Sequence, residues 1–111
     1  MRIVAQVRFI ETSEFTREVV KHLTDEQYRQ LQNALIANPA LGAVIQGTGG
    51  VRKLRWRDPS RGKRGGLRVI YYWHVPGSTI LFLLAYPKNE QDDLTPAQLK
   101  ALKAIIQTEY P

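Results

Sequence analysis

Apolar and polar positions alternate along this chain at two different periods, and the switches between them outline its elements. Ile3, Ala5, Val7 and Phe9 alternate with Arg2, Gln6 and Arg8, the two-residue period of an opening strand with one apolar face. Thr12 or Ser13 then caps a helix reaching about residue 23, with Phe15, Val19 and Leu23 turned inward. Thr24 with Gln27 three residues later is a capping-box pair, and Asp25 and Glu26 suit the positive end of a second helix. That helix carries Tyr28, Leu31 and Leu35 on one stripe and stops at Asn38-Pro39. Residues 41–50 read as a linker, with Val44 and Ile45 tucked toward the core.

Strand periodicity returns at residue 51. Leu54 and Trp56 fall on one face of residues 51–57, while Lys53, Arg55 and Arg57 fall on the other. Residues 58–66 form a loop, residues 67–75 a second strand, and Pro76-Gly77-Ser78 a turn. Residues 79–86 are almost unbroken in apolarity, which predicts a strand buried on both faces and central in its sheet. Thr95-Pro96 opens a last helix with Leu99, Leu102 and Ile106 facing inward. The order β-α-α-β-β-β-α predicts an α/β fold of the α+β type. Its sheet is twisted and mainly antiparallel, with an N-terminal helical hairpin on one face and a C-terminal helix. Its 111 residues suit one domain, spanning 1–111.

Charge changes this picture. Eight of the 16 Lys and Arg lie between Arg52 and Arg68, against the single acid Asp58, so that window carries +7 and the remainder −1. Three like charges along one strand face repel one another unless something anionic lies across them. A solvated basic loop would also account for the composition. The cationic character resumes at Arg68 on the next strand, however, so two paired strands would present one shared basic surface. A focused patch of this kind is the electrostatic footprint of a phosphate-binding protein.

Other function classes lack their residues. There is no cysteine, hence no disulfide, thiol nucleophile or thiolate metal site. His22 and His74 are the only histidines, and neither has a partner at metal-ligand spacing. The acids adjoin only at Asp25-Glu26, in a helix start, and at Asp92-Asp93, in a loop before a helix, which does not support a paired-carboxylate or two-metal nuclease. Gly47-Thr48-Gly49-Gly50 lacks the Lys-Ser or Lys-Thr and the following helix of a phosphate loop. The basic residues sit on strands and a loop, against helix-in-groove DNA reading. No signal peptide opens the chain, and the longest apolar run, residues 80–86, is too short to span a bilayer. A cytoplasmic protein with no cofactor, metal or membrane contact is expected.

Any catalysis must then fall to Lys, Arg and Tyr, a set that can cleave RNA. A Lys crowded by cations loses its proton more readily and becomes a usable base. Arg stabilises the charge on non-bridging phosphate oxygens. Tyr can stack on a base, orient phosphate or pass a proton. Tyr86 and Lys88, at the end of the apolar strand, would meet the basic hairpin if neighbouring strands run side by side.

The run GTGGVRKLRWRDPSRGKRGGLRVIYYW, then LLAYPKNEQDDLT, resembles the HigB-type toxins of the RelE superfamily. LTDEQYRQLQNALIANPALGAVIQG upstream matches the same branch, so nearly the whole chain is covered. The resemblance implies a small twisted sheet with two helices on one side and a C-terminal helix. It implies a ribosome-dependent, metal-independent mRNA endoribonuclease acting in the ribosomal A site. It also implies a cognate HigA-like, DNA-binding antitoxin, through which alone operator DNA would be contacted. By position, Lys53 and Arg55 fall in the active-site strand, Arg68 at the phosphate-binding arginine, and Tyr86 and Lys88 where this branch places further catalytic groups. Arg61, Lys63 and Arg64 would grip RNA backbone, with Arg52, Arg57 and Tyr72 also assigned to RNA contact. Two departures matter. Asn89 follows Lys88 where RelE has an arginine, and Leu94-Thr95 stands where RelE uses a tyrosine. The general acid is therefore Lys88 or Tyr86, and the base Lys53 or Lys88. A non-catalytic RNA- or ribosome-binding relative is the alternative, since phosphate neutralisation alone would account for the patch.

Overall fold

A computed structural model describes residues 6–57, 66–91 and 93–111. Its elements are β1 (Arg8–Glu11), α1 (Ser13–His22), α2 (Asp25–Ala37), β2 (Ala43–Val44), β3 (Val51–Arg57), β4 (Gly66–His74), β5 (Thr79–Pro87) and α3 (Pro96–Glu109). The helix boundaries follow from local chemistry. The Thr12 hydroxyl accepts from the Phe15 N–H, and capping boxes close at Thr24/Gln27 and Thr95/Gln98, satisfying donors that a helix start leaves without partners.

The five strands form one sheet in the order β1-β5-β4-β3-β2. The pairs β2/β3, β3/β4 and β4/β5 are antiparallel, and β1 runs parallel to β5, so the sheet is mixed. The apolar strand β5 is interior, as its composition requires, with β4 beside it at the centre of the sheet. Two adjustments to the sequence reading come from residues 41–50. Ala43 and Val44 pair with Lys53 and Arg52 as a short edge strand, and Val44 is 52% exposed while only Ile45 packs partly against the core. Two residues are too few for a period to register.

Each face of the sheet buries its own apolar cluster. On one face Leu54, Leu67, Val69, Tyr71, Ile80 and Phe82 pack with Phe15, Val19, Leu31 and Leu35 of the helical hairpin. On the other, Val51, Ile70, Leu81 and Leu83 pack with Leu102 and Ile106 of α3. The alternation in β3 therefore sends Leu54 under the hairpin and Lys53 to the α3 side. One helix cannot cover a five-stranded face. Beyond the start of α3, the strand ends of β3, β4 and β5 are left to other residues.

Candidate active site

Those uncovered strand ends carry the cations. Lys53, Arg55 and Arg57 oppose Ile70, Arg68 and Gly66 across β3/β4, and Arg68 in turn opposes Tyr86 across β4/β5. Directly opposed residues in an antiparallel pair project to the same side, so Lys53, Arg55, Arg68 and Tyr86 share one face. Lys88 lies one residue beyond β5, where its N–H donates to the Gly66 carbonyl at 3.0 Å. The strip thus joins five of the expected catalytic residues, and Arg57 extends it toward the loop.

Access differs sharply along the strip. Arg55, Arg57 and Lys88 are exposed, the Lys53 side chain is 18% exposed, and Tyr86 is buried. Arg68 is only 4% exposed. Arg68, assigned by resemblance to the phosphate, shares the face of Lys53 and Arg55 but is enclosed. The reason is Gly66. A Cβ there would stand 2.9 Å from one terminal nitrogen of Arg68, so the missing side chain makes the trough in which the guanidinium lies. Arg68 forms the floor of the strip and Arg55 its surface.

The anion that three cations on one face call for comes from forty residues away. Asp93 accepts a hydrogen bond from Lys53 Nζ at 2.9 Å. That bond, and then the Lys53 charge, hold the Asp93 carboxyl below the usual carboxylate range, and Arg55 and Arg68 add to the pull. The cations that crowd this face are thus met at Lys53 by a counter-charge. Sequence reasoning noted Asp92-Asp93 but weighed it only as a carboxylate pair. Its one usable signal was an acid just ahead of the α3 cap, and its partner could not be read from a strand so distant. Asp92 lies outside the described residues.

Other expected RNA contacts lie elsewhere. Arg52 alternates with Lys53, so it points to the hairpin face, where its guanidinium donates to the carbonyls of Gly42 at 2.7 Å and Ala40 at 3.3 Å. It secures the α2–β2 connection, and its assignment to RNA is corrected. Tyr72 is on the correct face but two side-chain steps from Arg68, roughly 13 Å along the strand at ~3.4 Å per residue. There it packs against Tyr110 of the α3 terminus with ring centroids 5.4 Å apart. It belongs to the part of the sheet that α3 covers. Arg61, Lys63 and Arg64 lie outside the described residues.

Two hollows adjoin Lys53. One, about 490 Å³, is bordered by Leu41, Val44, Ile45 and Arg55. The other, about 240 Å³, is bordered by Ile45, Asp93, Leu94 and Leu99. Among the described residues no group of three or more His, Asp or Glu is placed to hold a metal ion, and no helix is long and apolar enough to cross a membrane.

A family model described as the RelE toxin of the RelE/RelB toxin–antitoxin system matches residues 7–110 of this chain. Among solved structures, the chain is similar to a double-mutant form of the E. coli toxin RelE in the free state. The two are 14% identical with a TM-score of 0.57, over 89% of this chain and 95% of that one. At that identity the likeness is one of fold.

Proposed function

The chain belongs to the RelE toxin family, and from that premise we propose that it is a ribosome-dependent endoribonuclease of the HigB branch that cuts mRNA in the ribosomal A site. As a RelE-family toxin it is one component of a toxin–antitoxin system, with an antitoxin as its partner. The branch implies an antitoxin of the HigA-like, DNA-binding kind, and operator DNA contacted only through it. The observation that supports cleavage best is the segregation of the sheet face. Beyond the start of α3, Arg55, Arg57 and Lys88 stand exposed, on strand ends that also carry the half-buried Lys53 and the buried pair Arg68 and Tyr86.

The reaction this set can run needs no group from outside the chain. The 2′-oxygen bonds to the adjacent phosphorus while the bond to the 5′-oxygen breaks. One proton leaves the 2′-hydroxyl and one reaches the departing 5′-oxygen, giving a 2′,3′-cyclic phosphate and a 5′-hydroxyl. Arg55 is the exposed donor for the non-bridging oxygens, whose charge grows in the transition state, and Arg68 reinforces it from below. Lys53 or Lys88 takes the first proton, and Lys88 or Tyr86 supplies the second.

The test is to incubate the purified protein with mRNA, free and on programmed ribosomes, and to map the cut ends. Cuts confined to ribosome-bound mRNA are expected, and Arg55→Ala lowers their rate by roughly 10²–10³-fold, the usual effect of removing one transition-state donor. Cleavage of free RNA would replace this reading with a freestanding nuclease. Salt-sensitive ribosome binding without cuts would replace it with a non-catalytic binding module.

A further inference from the structure

We propose that Asp93 is a built-in stand-in for the RNA phosphate: its carboxylate occupies the anion position on Lys53 in the free toxin, and a substrate phosphodiester must displace it. This rests on the reading of the strip as the phosphate site, and it adds a regulatory element that tunes RNA affinity.

Three features of the pair support it. The contact is made by a residue held in place for it. Gln91 Nε2 donates to the Asp93 carbonyl at 2.8 Å and to Gln98 Oε1 at 2.5 Å, and Gln98 is the capping-box partner of Thr95 at the start of α3. The Asp93 backbone is thereby tied to the start of α3, and its side chain reaches back to β3.

The two halves are unequally accessible. The Lys53 side chain is 18% exposed and Asp93 82%. Solvent surrounds the carboxylate, so it is the half that can swing away, while the ammonium stays in place. An ion pair with one partner so exposed is weak and screened by salt, so it yields to a phosphate that meets Arg55 as well.

Charge also matches. A carboxylate and a phosphodiester each present one negative charge through paired oxygens, and Asp93 feels Arg55 and Arg68 as well as Lys53. The hollow bordered by Lys53, Asp93, Ile45, Leu94 and Leu99 leaves open space beside the pair. In the free toxin one unit of the strip's charge is therefore already neutralised. RNA binding at Lys53 must break this pair, which offsets part of the gain from the new contact.

That exchange has a measurable signature. Salt screens an ion pair this exposed, so Asp93 competes less with RNA as ionic strength rises. Removing the internal competitor should therefore tighten binding and steepen the slope together. The experiment measures binding of a fluorescent single-stranded 2′-O-methyl RNA decamer, which cannot be cleaved. Wild type, Asp93→Asn and Lys53→Ala are compared across a salt series, with folding of each checked by thermal melting.

Asp93→Asn should bind about two- to fivefold tighter at low salt, the equivalent of the pair's energy. Its advantage should fade as salt rises, giving a steeper salt slope than wild type, and Lys53→Ala should bind more weakly than either. Equal or weaker binding by Asp93→Asn with an unchanged slope overturns the stand-in role and leaves Asp93 as a holder of Lys53. If Lys53→Ala binds as well as wild type, Lys53 is not a phosphate contact and the stand-in role falls with it; a wild type that binds no free RNA overturns the stand-in role alone and leaves the ribosome-dependent reading in place.

Discussion

Replacing Tyr71 with phenylalanine removes a single oxygen from the hairpin side of the sheet, and its effect can be worked out from the contacts that oxygen makes. Tyr71 is fully buried on β4. Its hydroxyl donates to the Pro39 carbonyl at 2.7 Å and accepts from the Gly42 N–H at 2.8 Å, joining the central strand to the connection between α2 and β2. Gly42 has no room to rearrange, since a Cβ there would stand 2.9 Å from the Tyr71 ring and 3.1 Å from the Lys53 backbone. Phenylalanine preserves the ring and its packing, so the change isolates the two hydrogen bonds. Pro39 is only half-buried, so its carbonyl can turn to water, and losing that bond costs about 0.5–1 kcal/mol. The Gly42 N–H is enclosed and would be left without an acceptor, at about 1–3 kcal/mol. The sum is about 1.5–4 kcal/mol. For a chain of this length that lowers Tm by about 6–16 °C. Urea unfolding followed by the fluorescence of Trp56 and Trp73 measures it directly, and the midpoint should fall with an unchanged slope. A loss below about 0.5 kcal/mol would refute the reasoning, because it would mean that the connection does not depend on Tyr71 for its shape.

Two further outcomes test the faces of the sheet and the buried tyrosines. Arg52→Met should leave RNA affinity and its salt slope unchanged while lowering stability by about 1 kcal/mol, the usual worth of a lost hydrogen bond; a flatter slope would return Arg52 to the RNA surface. In alkali, burial raises the pKa of Tyr71, and burial followed by the hydrogen bond to Glu11 raises that of Tyr28 well above the ordinary tyrosine value. Both therefore stabilise the fold fully below the unfolded tyrosine pKa near 10, and that contribution is lost as pH rises through the folded values. Absorbance of tyrosinate should show Tyr28 and Tyr71 ionising only together with unfolding, and their titration in the intact fold at ordinary pH would contradict the burial.

Local pattern and tertiary structure divided the work unequally. The sequence by itself determined the elements and their exposed sides, because caps and side-chain periods act over a few residues. Thr24 with Gln27 and Thr95 with Pro96 placed two helix starts, and Leu54 and Trp56 against Lys53, Arg55 and Arg57 separated the two faces of β3 before any partner strand was known. The side-by-side placement of Arg68 and Tyr86 also followed, since consecutive antiparallel strands pair by default. What happens beyond the neighbouring strand was decided only in three dimensions. The parallel pairing of β1 with β5 joins residues about seventy positions apart, and no local period encodes it. Arg52 and Lys53 are adjacent cations of the same kind in composition, yet the pleat sends one to hold the α2–β2 connection and the other to Asp93. Arg68 is enclosed because Gly66 leaves a trough beneath it, and Asp93 meets Lys53 because the α3 cap carries it back over the sheet. Composition fixes how much charge a chain carries; only the packed sheet and its covering helices decide which charges face each other and which face the solvent.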